Sequence, residues 1–176
     1  MSIREAVGVA LVSRHLETVP EHESAIDKVG ALAHASKLGR LLYHWRYARQ
    51  DRYVGPVHRE LLRKARKRLR IGKFHVEHPT LSLACTQAMT EYYLPQCPSC
   101  TGVGELVAAK LRVVCHACGG SGLRRYPDAE RVRALKIEWN SYRHTWENRI
   151  GEILLILFGN DAGASAIVRH QLRENE

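Results

Sequence analysis

The sequence predicts a mainly α-helical protein that carries one small inserted module, and three observations lead to that prediction. Apolar residues recur at helical spacing along most of the 176 residues. Two C-x-x-C pairs, Cys97 with Cys100 and Cys115 with Cys118, interrupt that pattern within a glycine-rich stretch. Helical spacing then resumes after Asp128. A chain of this length suffices for one well-packed body with an appended module, but not for two full-sized cores.

The elements follow in order. Ser2 with Glu5 reads as a capping box that opens a helix over residues 2–17, with Ile3, Val7, Ala10 and Leu11 on one face. A second helical stretch covers 24–50. Gly30 and Gly39 weaken it, so two helices or one bent helix are expected, with Leu38, Leu41, Leu42 and Trp45 as the buried stripe. Residues 53–56 form a turn. Pro56 suits the first turn of the next helix, 56–71, whose inner side carries Leu61, Leu62, Ala65 and Leu69. His78 and Pro79 start another helix through Leu81, Ala84, Ala88 and Tyr92, which Pro95 stops. Between the cysteine pairs, Val107, Val113 and Val114 predict a short hairpin. Asp128 caps a helix through Lys136. After a turn near residues 139–141 a further helix runs to Phe158, Gly159 is its stop signal, and a last short helix covers 161–173.

The cysteines carry the clearest chemistry. Residues 97–104 and 115–122 both read C-x-x-C-x-G-x-G. A two-residue gap lets both thiolates of a pair face one point, and the glycines let the backbone turn beneath them. Four cysteines, Cys97, Cys100, Cys115 and Cys118, complete a closed tetrahedral set for one Zn²⁺, which leaves no open position for water activation and implies a structural role. A single redox C-x-x-C is the competing reading, and two matched pairs argue against it. His116 is expected at the surface, and Cys85 as a small core residue. Cysteines used in this way point to a reducing, cytoplasmic setting.

Lysine and arginine exceed the acids by nine. An anionic partner is implied, since binding a polyphosphate releases counterions. The excess is clustered: Arg59, Arg63, Lys64, Arg66, Lys67, Arg68, Arg70 and Lys73 face one acid, Glu60. Like charges repel along a helix unless an anion offsets them, so this stretch is a candidate for phosphate contacts, which Arg124 and Arg125 extend. Over 141–158, Tyr142, Trp146, Ile150, Ile153 and Leu157 form a core stripe. The other side of its first turns carries Ser141, Arg143, His144, Thr145, Glu147 and Asn148, side chains able to address base edges and phosphates. An ordinary amphipathic helix with a solvated polar face fits the same pattern. No nucleophile elbow, phosphate-binding loop or paired-acid constellation is present, so the chain is not expected to be an enzyme. The longest apolar runs, such as 153–158, fall short of a bilayer span, and no membrane association is expected.

The C-x-x-C-x-G-x-G signature resembles the zinc region of DnaJ-type chaperones, although two repeats stand here and His78-Pro79-Thr80 ends in threonine. Over residues 80–172 the chain more closely resembles the late-gene antitermination protein Q family of lambdoid phages. The shared features are Ala88-Met89-Thr90-Glu91-Tyr92-Tyr93, the two knuckles, Leu123-Arg124-Arg125-Tyr126-Pro127, and the segments beginning at Asp128 and at Thr145. The residues themselves predict a helical region over 1–95 with a basic helix over 56–71, and the resemblance implies a DnaJ-like zinc knuckle with its β-hairpin over 96–125 and a helix-turn-helix-like DNA-binding region over 126–176. It further implies a phage- or prophage-encoded factor in a bacterial cytoplasm, which binds double-stranded DNA of a late promoter region. The factor would load onto host RNA polymerase holoenzyme while sigma is bound, so that the enzyme reads through terminators. A zinc-dependent chaperone or polypeptide-binding adaptor is the alternative. In either case the knuckle is expected to brace the helices on its two sides rather than to read nucleic acid itself.

Overall fold

The computed structural model describes residues 32–70, 78–108 and 111–173. The helix expected over 2–17, the first part of the 24–50 stretch, and Lys73 lie outside the described residues. Within them the protein is helical apart from one small hairpin. Helix α1 is Lys37–Arg46, α2 is Val54–Arg70, α3 is His78–Tyr93 and α4 is Asp128–Leu135, while strands β1, Glu105–Ala108, and β2, Leu111–Val114, stand between α3 and α4. A turn of helix, Trp139–Ser141, passes through a wide π-helical turn, Tyr142–Trp146, into the long α5, Glu147–Arg173.

Helix α5 is the element on which α1, α2 and α3 pack. The expected stripes meet there: Leu38, Leu42 and Trp45 from α1, Leu61, Ala65 and Leu69 from α2, Leu81, Ala84, Ala88 and Tyr92 from α3, and Tyr142, Trp146, Ile150, Ile153 and Leu157 are all buried in one core. Cys85 is fully buried among them, and burial pushes its thiol up to about 12, so it is an unreactive core residue.

Four sequence expectations are corrected. Gly159 does not stop a helix; α5 runs through it without a break. A mid-helix glycine costs ~1 kcal/mol, and contacts with α1 offset that cost. Ser36 Oγ donates to Asn160 Oδ1 (2.6 Å), and Arg46 pairs with Asp161 at 3.3 Å. Gly39, expected to weaken its helix, lies where α1 crosses α5: a Cβ there would stand 2.9 Å from the Asn160 carbonyl oxygen. Residues 53–56 are not a free turn either. A 3₁₀ turn, Asp51–Tyr53, leads directly into α2, and Pro56 sits in the first turn, where a missing N–H costs nothing. Finally, Asp128 is the first residue of α4 and not its cap; Pro127 holds the cap position.

The merged helix changes one further reading. Trp139–His170 is long and apolar enough to cross a bilayer by length and composition alone. Its apolar stripe is instead the centre of the core described above, an arrangement compatible with a soluble protein.

Candidate metal centre and charged surface

Helix α3 ends at Tyr93, and the chain then enters a neck where Gln96 and Leu123 form an antiparallel bridge and the Arg124 N–H donates to the Pro95 carbonyl (2.8 Å). Beyond this neck the two knuckles face each other with reciprocal bonds. The Cys97 N–H donates to Gly122 O at 2.8 Å, and the Cys115 N–H donates to Gly104 O at 2.9 Å. Each bond joins the first cysteine of one motif to the last glycine of the other, so the sequence repeat becomes a local pseudo-two-fold in space. Gly104 and Gly122 show why the motif needs glycine. Both have positive φ, +86° and +67°, and a Cβ would stand 2.3 Å from Gly120 O in one case and 2.2 Å from Gly102 O in the other. No side chain fits between backbones that close.

The turns converge all four sulfurs within 4.8 Å of one another, and all four cysteines are buried. The Cys97 and Cys115 sulfurs are 4.0 Å apart and those of Cys100 and Cys118 are 3.8 Å apart. These separations are far beyond a disulfide bond, ~2.05 Å. They match the edge of a tetrahedron with metal–sulfur distances of ~2.3 Å, which is ~3.8 Å. The cluster can therefore hold one metal ion.

Electrostatics favour the same occupancy. The N–H groups of Cys100 and Ser99 outweigh burial and draw the Cys97 thiol below its ordinary value. At Cys118 burial acts upward, yet the Gly122 and Gly120 N–H groups and the neighbouring sulfurs bring the thiol down to about 7. Cys115 responds in the opposite sense: the Cys118 N–H lowers it, but burial and the Cys118 and Cys100 sulfurs lift it to about 11. Cys97 and Cys118 thus ionise more readily than an ordinary thiol, and crowding resists ionising Cys115. A bound cation removes that repulsion.

The charged residues singled out in the sequence fall into three places. On α2, Arg63 and Lys67 are exposed while Lys64 and Arg66 are half-buried. The side chain of Arg70 lies outside the described residues. Glu60 is buried and accepts hydrogen bonds from Arg63 Nε (3.1 Å to each oxygen) and from Arg63 Nη2 (2.5 Å), which hold its carboxyl below the usual range, with Lys37 3.8 Å away. Arg68 pairs with Glu152 of α5 at 3.7 Å. Because Glu152 lies one turn beyond Asn148, this pair brings the basic helix beside the polar segment that opens α5. There Ser141, Arg143, His144, Glu147 and Asn148 are exposed and Thr145 is half-buried, with Arg143 3.8 Å from Glu147. The π-helical turn lies within this segment; such turns recur at functional sites. Arg124 and Arg125 stand apart, next to the knuckle. Arg124 pairs with Glu130 at 3.2 Å and lies over the Tyr126 ring, while Arg125 is exposed and its guanidinium covers Gly119.

Sequence reasoning missed a clamp that joins these parts. Arg131 on α4 donates from Nε and Nη2 to the two carboxylate oxygens of buried Glu91 on α3, at 2.8 and 2.7 Å. Arg131 Nη1 reaches the Tyr142 hydroxyl at 3.4 Å, and that hydroxyl donates to Asp128 at 3.0 Å. Gln87 adds a bond to Glu91 at 3.0 Å. The bidentate bond joins residues 40 positions apart. The one available signal was an acid within the apolar face of α3. His116 is exposed, as the complete cysteine set predicts.

No family model matches this chain, and no curated protein matches it.

Proposed function

We propose that this chain is a phage late-gene transcription antitermination factor, which binds promoter-region DNA and modifies RNA polymerase so that it reads through terminators. The observation that carries the reading is the Arg68–Glu152 pair, because it sets a cationic helix beside an exposed polar helical segment. In this reading Arg63, Lys64, Arg66, Lys67 and Arg70 contact phosphates and position the chain without reading sequence. Ser141, Arg143, His144, Thr145, Glu147 and Asn148 address base edges, with α4 and the start of α5 as a helix-turn-helix-like pair. The family resemblance over 80–172 supports the same assignment and supplies the polymerase holoenzyme as partner.

The metal is proposed to be a single structural Zn²⁺ held by Cys97, Cys100, Cys115 and Cys118, since a closed all-thiolate tetrahedron suits that ion. When bound, it supplies folding free energy to the knuckle. The knuckle, a DnaJ-like module in this reading, then braces α3 against α4, with Arg124 and Arg125 adding phosphate contacts beside it.

Transcription past a terminator with purified polymerase, on templates with and without the late promoter region, tests the proposal. Readthrough confined to templates with that region is the expected result; equal termination on both would end the reading. One observation favours a second reading: the exposed apolar hairpin suits a zinc-dependent polypeptide-binding adaptor. Suppressed aggregation of an unfolded client, in a protein with no affinity for DNA, would select it.

A further inference from the structure

We infer that the β1–β2 hairpin is a docking surface for a protein partner whose apolar surface is rimmed by carboxylates. Among the described residues nine large hydrophobic side chains are exposed, and five of them, Val103, Val107, Leu111, Val113 and Val114, lie in this one module. Val107 is 80% exposed and Leu111 68%. The register places Val107 opposite Arg112 and Leu106 opposite Val113, so each face of the ribbon carries apolar groups. Only Leu106 packs onto the cysteine cluster. Among the described residues Val107 and Leu111 stay largely exposed, one on each face of the ribbon, and exposed apolar groups gathered in one small module mark an interaction site.

The choice of occupant follows from three features. First, among the described residues the sheet has two strands, each with an edge able to pair with an added strand, and a polypeptide completes such an edge as nucleic acid does not. Second, the charges beside the apolar groups are mainly positive. The Arg112 side chain is 83% exposed with a long 3.8 Å pair to Glu105, and Arg125 is exposed near the base of the module. Third, a second copy of the chain is disfavoured. Two copies would each bring a formal charge of +9. An acidic protein partner satisfies all three. The inference rests on the proposed function for its probe: there, the partner surface belongs to RNA polymerase holoenzyme.

The test uses the full-length, metal-loaded protein and two variants, the double substitution Val107→Thr with Leu111→Thr, which keeps strand propensity, and Arg112→Glu. Binding to immobilised purified polymerase holoenzyme is measured without DNA, alongside mobility shifts on promoter DNA, self-association by sedimentation, and metal content. Each variant is expected to bind polymerase at least tenfold more weakly, with DNA affinity and metal content unchanged. Should the double variant lose its metal, Arg112→Glu decides the outcome. Polymerase affinity equal to that of the parent in both variants overturns the hairpin assignment alone. A parallel loss of DNA binding overturns it in favour of a nucleic-acid contact, and loss of a parental dimer overturns it in favour of self-association. A parent protein with no affinity for polymerase would sink both this inference and the functional reading on which it rests.

Discussion

The helical body and the knuckle are built on opposite principles. The body buries a core of aliphatic and aromatic side chains, with Met89 and Cys85, shared by five helices and the π-helical turn. In the knuckle the buried cluster is four cysteines, with Leu106 alone packed against it, while its valines face solvent. Hydrophobic burial scales with apolar area, so it favours the body far more than the knuckle, whose four cysteines can instead hold a metal ion. The difference shows how a module of this size can present apolar side chains outward. With its stability supplied by ligation, as proposed, its strands would be free to serve contacts elsewhere.

The largest expected effect separates the two regions outright. Chelating the metal, or replacing Cys100 or Cys115 with serine, removes a contribution of ~10 kcal/mol or more to folding of the knuckle. Amide exchange at Cys97 and Cys115 should then lose its protection while the helical signal of the body persists. Collapse of both together would dissolve the comparison. A cavity in the body is the converse. Ile153→Ala empties a fully buried site and should cost ~3–4 kcal/mol in denaturant unfolding, with metal content unchanged.

A smaller effect is expected at the junction. Arg131→Gln leaves the buried Glu91 carboxylate without its bidentate partner, and should cost ~2–3 kcal/mol, short of the full value for a buried pair because the arginine is 20% exposed. In that variant chelation should also release α4 from α3, as seen by faster exchange in α4; in the parent the clamp keeps α4 docked. The smallest effect lies far from the metal. The carboxyl of Glu60 is held low by Arg63, so its contribution to stability is present above the ordinary carboxylate range and is lost as pH falls through the lowered value. A Glu60→Gln variant should therefore melt below the parent near neutral pH, with the gap closing in acid.

Much of this architecture was legible in the residues themselves. The stripes through Leu38, Leu42 and Trp45 and through Tyr142 to Leu157 are local patterns of apolar spacing, and they are buried as that spacing requires. The metal cluster was legible for a similar reason, because both halves of the motif carry their turn geometry with them. What escaped was set by partners distant in sequence. Gly159 reads as a stop until Asn160 and Asp161 are seen bonded to α1. The basic stretch of α2 reads as facing one acid until Glu152 arrives from α5. The clamp between Glu91 and Arg131 leaves no periodic trace. Nor does the outward display of Val107 and Leu111, since strand propensity alone accounts for such residues in a hairpin.

In the proposed reading one ion replaces a hydrophobic core in the knuckle. Native mass spectrometry of freshly purified protein, combined with thiol alkylation before and after chelation, decides whether it does. One zinc per chain is expected, with Cys97, Cys100, Cys115 and Cys118 protected together until the chelator is added. Zinc well below one per chain, with those thiols reacting freely in an intact fold, would contradict that reading.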